Sequence, residues 1–250
     1  MLPRKCPACN NRALSFNELE IFCQNCPIYR KPLSFWQKPL VWAYTRYWWW
    51  RLPILVWFVV MLVQNLKNPI FAMNRLSNPF SALDFGMHEL GHQIFSVFGE
   101  FMRIAGGSIF QCLFPLLWMI GFLQKRWYFA AAMCWCWLGL NLFDVATYAA
   151  DARARLLPLS MGLGIFGIDL TDMDAVYDKG HDWYQLLLRT GHLEKDLLIA
   201  KGLRIAAVAM FVTGFILGGI LLTQMVVGFV RRRSLGKQTT PKNLPSGNTV

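Results

Sequence analysis

The chain has 250 residues, of which 55% are Ala, Val, Ile, Leu, Met, Phe, Trp, Tyr or Cys and only 16% are charged, with a mean hydropathy of +0.35. A soluble domain carries about 25% charged residues, so this composition excludes disorder over most of the chain and argues against an ordinary soluble enzyme. The net charge of +11 gathers towards the two ends, as in cytoplasmic flanks of membrane spans, and not in one stripe, which argues against nucleic-acid binding. The expected fold is an all-α integral membrane protein of about four to five transmembrane helices, preceded by a small N-terminal module.

That module occupies residues 1–35. Cys6-Pro-Ala-Cys9 and Cys23-Gln-Asn-Cys26 are two C-x-x-C pairs thirteen residues apart. Each pair places two thiolates on one turn, and two such turns complete the closed four-thiolate coordination of structural zinc. The spacing resembles the zinc-ribbon family of small modules. Disulfides would need an oxidising compartment, whereas the basic flank before the first span favours the cytoplasm. A closed site holds shape or recruits a cytoplasmic partner; it does not catalyse.

Residues 36–230 read as the membrane domain. Trp48, Trp49, Trp50 and Arg51 form an aromatic and basic anchor before a short apolar span near 52–66. Asn78-Pro79 then reads as a helix start, with Asn as cap and Pro in the first turn, opening a helix over 79–102. On it lies His88-Glu89-Leu90-Gly91-His92. Two histidines four apart share one helical face and suit zinc, while Glu89, one step round, is placed to act as general base. Asp84, one turn before His88, is positioned to accept that ring's second N–H. Ionisable groups beside lipid are costly unless they pair or bind a ligand, which makes this motif a functional candidate.

Gly106-Gly107-Ser108 reads as a tight turn or plain linker into a second span near 106–123, closed by Lys125-Arg126. The third span, near 127–150, carries Asn141, Asp144, Tyr148 and Asp151 on one face, a polar stripe on an apolar helix. Cys112, Cys134 and Cys136 lie inside the spans and read as packing residues.

The His88-Glu89-Leu90-Gly91-His92 motif on a membrane helix, with an Asp on a later apolar helix, resembles the site-2 protease family of membrane-embedded zinc metalloproteases. The resemblance covers about residues 79–151. It implies zinc held by His88, His92 and a distant Asp, with Glu89 activating water to hydrolyse a peptide bond in or near the membrane. The family's Asp-Gly pair is missing from this chain. Asp144 is therefore the first choice for third ligand, followed by Asp151, with His181 as an alternate. In this reading Gly91, lacking a side chain, lets a substrate strand approach the helix.

After a short apolar stretch at 156–168, too short to cross, His181-Asp182-Trp183 offers a further polar group or a substrate guide. A last, clean span near 205–230 stops at Arg231-Arg232-Arg233, and 231–250 reads as a basic disordered tail. Four crossings place both termini in the cytoplasm. The function expected is peptide-bond hydrolysis in membrane or membrane-proximal proteins, with one catalytic and one structural zinc. The alternative is a non-catalytic zinc-binding scaffold that recruits a cytoplasmic partner through the ribbon.

Overall fold

The computed structural model of the protein describes residues 6–10, 14–16, 20–70, 79–157 and 180–238. They divide into two compact units, one of residues 1–54 with 217–250 and one of residues 55–216.

The first unit contains a three-stranded antiparallel sheet of β1 (Leu14–Phe16), β2 (Glu20–Cys23) and β3 (Cys26–Pro32), in that order. Cys23 and Cys26 face each other across the tight turn between β2 and β3, where the register shifts by a bulge. Cys6, Ile21, Cys23 and Leu33 form its buried interior. Helix α1 (Gln37–Tyr44) buries Val41, Trp42 and Ala43. The expected aromatic anchor is present as ring contacts: the guanidinium of Arg51, first residue of α2 (Arg51–Lys67), lies 3.9 Å from the Trp50 ring centroid and 5.5 Å from that of Trp42.

The second unit is helical. Helix α3 (Ser81–Phe95) carries the His-Glu-x-x-His motif, and α4 (Glu100–Gln124), α5 (Tyr128–Ala154), α6 (Asp182–Arg189) and α7 (Asp196–Gln238) follow, the last continuing past residue 216 into the first unit. Among the described residues, three helices are long and apolar enough to cross a membrane: α4, α5 and α7. This is fewer than the four to five spans expected. Helix α2 has 17 residues, about 26 Å at 1.5 Å per residue, and falls short of a hydrocarbon core about 30 Å thick.

Other boundaries also differ from expectation. The helix placed over 79–102 begins only at Ser81 and stops at Phe95; a 3-10 turn (Ser96–Phe98) leads to Gly99 at φ +94°, a backbone state that favours glycine, and α4 starts there. Asn78 lies outside the described residues. Gly106, Gly107 and Ser108 sit inside α4 and form no turn. The helix α7 continues to Gln238, so 231–238 belong to it and not to a disordered tail. The tail beyond residue 238 lies outside the described residues.

Helix α5 is the most buried of the three long helices and forms the centre of this unit. On one side, Gly139 and Gly214 let α5 and α7 approach: a Cβ on Gly139 would meet the Phe211 ring at 2.8 Å, and one on Gly214 would collide with Cys136 Sγ. Trp135 Nε1 donates to Thr213 Oγ1 at 2.8 Å, and Arg153 makes paired bonds of 2.7 and 2.8 Å to Asp196. Helices α3 and α4 meet almost backbone to backbone, since a Cβ on Gly91 would overlap the Gly106 carbonyl. Gly91 thus serves packing within the protein, and the approach of a substrate strand at that point is blocked by α4. Outward-facing Leu117, Trp118, Ile120, Val212 and Ile216 give α4 and α7 apolar outer surfaces suited to lipid.

Candidate metal centres

The ribbon brings Cys6, Cys9 and Cys23 together, with one ligand atom from each within 4.8 Å of the others. Cys9 Sγ and Cys23 Sγ are 3.6 Å apart. Zinc–sulfur bonds of about 2.3 Å at tetrahedral angles leave sulfurs about 3.8 Å apart, close to the Cys9–Cys23 separation. Cys26 opens β3 opposite Cys23 but is not among these three. All seven cysteines are free thiols. Burial pushes the Cys23 thiol up to about 11, and the neighbouring Cys6 and Cys9 sulfurs act in the same direction. A cation bound among them would remove that penalty, because a coordinating thiol is held deprotonated.

The second centre lies on α3. His88, Glu89 and His92 each offer a ligand atom within 4.8 Å of the other two, as helical spacing predicts for one end of the motif. Glu89 is exposed and the two histidines are half-buried. The carboxylate that meets the imidazoles comes from α6: Asp182 Oδ2 lies 3.0 Å from His88 Nε2 and 3.3 Å from His92 Nε2. Metal–ligand bonds of about 2.0–2.1 Å at tetrahedral angles separate neighbouring ligand atoms by about 3.3 Å. The two contacts to Asp182 are therefore close to that separation, although the group within 4.8 Å of one another is His88, Glu89 and His92.

The other ring nitrogens show how the imidazoles are oriented. His92 Nδ1 lies 2.8 Å from the Arg103 carbonyl oxygen, an acceptor only, so that nitrogen carries a proton; Nε2 faces Asp182, also an acceptor, and donates to it in the metal-free protein, where a bound cation would take that proton's place. His88 Nδ1 faces Gln111 Oε1 at 3.2 Å, and its Nε2 meets Asp182 Oδ2 at 3.0 Å. Metal-ligating histidines donate their second N–H in this way to a carbonyl or carboxylate. Gly107 on α4 supplies the space, since a Cβ there would stand 2.6 Å from His88 Nε2 and 2.7 Å from His92 Nε2.

Burial alone would raise the Asp182 carboxyl, but hydrogen bonds from His88 and His92 outweigh it and hold the group below the usual carboxylate range. Burial alone would depress His92, yet the hydrogen bond and charge of Asp182, with the Arg103 carbonyl, carry it above its ordinary value. Both shifts express one fact: the Asp182 carboxylate is hydrogen-bonded by the imidazoles, which favours its charged form and the protonated form of His92.

The other candidate residues stand as follows. Asp84 is buried and accepts the Trp137 indole N–H at 2.8 Å, while the second nitrogen of His88 goes to Gln111. Asp151 is fully buried at the end of α5, where its carboxylate accepts the Leu156 and Leu157 N–H groups at 2.7 and 3.1 Å and lies 3.4 Å from His181 Nε2. Asp144 is half-buried on α5, one turn before Tyr148. His181 caps α6, its Nδ1 accepting the Tyr184 N–H, so it holds the helix whose first residue is Asp182. Tyr148 Oη accepts the Asp182 backbone N–H at 3.2 Å. Asp182 appears in the sequence only within His181-Asp182-Trp183, as a further polar group or substrate guide.

No protein-family model, curated protein or solved structure gives a significant match to this chain.

Proposed function

We propose that this protein is a membrane-embedded zinc metallopeptidase that hydrolyses peptide bonds of membrane or membrane-proximal proteins. One observation carries the reading. His88 Nε2 and His92 Nε2, on one face of α3, converge on a single carboxylate oxygen of Asp182 at 3.0 and 3.3 Å, while His92 Nδ1 donates to the Arg103 carbonyl. Two imidazoles with one carboxylate are the donor set of an open, catalytic zinc site, in which the metal would replace the ring protons that bond Asp182 here.

Bound there, zinc supplies a Lewis acid that activates water and polarises a scissile carbonyl. Glu89 is exposed beside the pair, accepts the proton released from water and returns it to the leaving amine. Gln111 and the Arg103 carbonyl hold both rings in the ligating tautomer. Tyr148 and His181 fix the start of α6 and with it Asp182. Three membrane-length helices support a substrate met in or at the bilayer. The cysteine trio supports a second, structural zinc that presents the ribbon to a cytoplasmic partner.

The test is Glu89→Gln in purified, lipid-reconstituted protein. Zinc content stays at wild-type level and cleavage of a membrane-anchored reporter falls about 10²- to 10⁴-fold, the usual contribution of a general base. Undiminished cleavage removes Glu89 from the chemistry. A scaffold in which the metal is structural predicts no effect at all.

A further inference from the structure

Pro115 lies buried in the middle of α4. Proline has no N–H, so the carbonyl of Gln111, four residues earlier, loses its ordinary helical donor. Asn141 on α5 replaces it: Nδ2 donates to the Gln111 carbonyl at 2.7 Å. A carbonyl only accepts, which sets the orientation of the Asn141 amide. Asn141 is fully buried and Gln111 is 8% exposed, so the bond is made where water does not compete. The side chain of that same Gln111 meets His88 Nδ1 at 3.2 Å.

We infer that Pro115, Asn141 and Gln111 form a positioning relay for the metal ligand His88. The proline frees a carbonyl, Asn141 clamps it from the neighbouring helix, and the clamped residue's amide oxygen takes the His88 Nδ1–H so that Nε2 faces the metal. Asn141 and Pro115 touch neither metal nor substrate and are positioning residues. This deepens the metallopeptidase reading and rests on His88 being a ligand. A simple interhelical tie at Asn141 would change stability without changing the metal site, and its importance would not depend on residue 115.

Co²⁺ titration of the full chain in detergent separates the two. Visible d–d bands report the α3 site, and the thiolate charge-transfer band of the ribbon serves as an internal control for folding. Outer-shell partners of ligating histidines affect metal affinity about 10- to 100-fold, so Asn141→Ala weakens Co²⁺ binding at the α3 site by that order and shifts its d–d bands. Asn141→Ala combined with Pro115→Ala recovers most of the affinity, because alanine in place of the proline brings back an N–H for the Gln111 carbonyl. Unchanged affinity and spectrum in Asn141→Ala, or a double variant no better than Asn141→Ala, overturns the relay. Should the Asn141 variants fail to fold, Gln111→Leu and Gln111→Glu test it with the backbone intact: the Leu variant loses affinity and the Glu variant keeps it, and a Leu variant of wild-type affinity overturns the relay. Equal d–d intensity in wild type and His88→Ala would instead overturn the metal site itself.

Discussion

Gly107→Ala adds one methyl group to α4 at the most sensitive point of the site. The new Cβ would stand 2.6 Å from His88 Nε2 and 2.7 Å from His92 Nε2. Non-bonded contacts between such atoms settle near about 3.5 Å, so one or both rings must retreat by roughly 0.8 Å. A metal site tolerates about 0.2 Å of ligand displacement. Overpacking of this kind costs about 1–3 kcal/mol, which at 1.4 kcal/mol per tenfold is a loss of about 5- to 140-fold in zinc affinity at this site. Gly121→Ala on the same helix is the control, since nothing lies within 4 Å of the point where its methyl group would stand and alanine favours the helix by about 1 kcal/mol. Competition of the purified variants against a chromophoric chelator measures the affinity, with the ribbon zinc as internal reference. A Gly107→Ala protein that binds zinc at the α3 site as tightly as wild type refutes the placement of the metal beside the two Nε2 atoms.

Two further outcomes follow from the same geometry. Asp182→Ala removes the α3-site zinc and the cleavage activity while Asp144→Ala keeps both, as metal analysis and the reporter assay would show; the opposite pattern returns the third ligand to α5. Zinc affinity should also depend on pH with a definite sign. The metal takes neutral His92, whose pKa in the metal-free protein is raised by the Asp182 hydrogen bond and charge acting against burial. Affinity is therefore level above that raised value and falls about tenfold per pH unit below it, as the proton competes. The linked effect on folding has the same origin: His92 stabilises the metal-free protein below the ordinary histidine pKa of about 6.5, and that contribution disappears as pH rises through the raised value. A zinc affinity that stays flat from neutral pH down to pH 5 contradicts the assignment.

The parts of this molecule legible in the sequence are those governed by local periodicity. Residues four apart on a helix share a face whatever surrounds them, so His88 and His92 meet on α3 as their spacing predicts. The same holds for the Cys6–Cys9 turn and for the apolar lengths of α4, α5 and α7. The polar stripe at Asn141, Asp144, Tyr148 and Asp151 was equally legible, but its use was not. Asn141 answers the carbonyl that Pro115 leaves open, Tyr148 takes the Asp182 N–H, and Asp151 closes the end of α5. Those partners lie on other helices or past a helix end, beyond the reach of periodicity within α5. The carboxylate facing the histidines comes instead from Asp182, 94 residues after His88, delivered by the path of the chain into α6. Periodicity determines which side chains share a face; only the tertiary structure, by bringing distant helix ends together, decides which carboxylate that face meets.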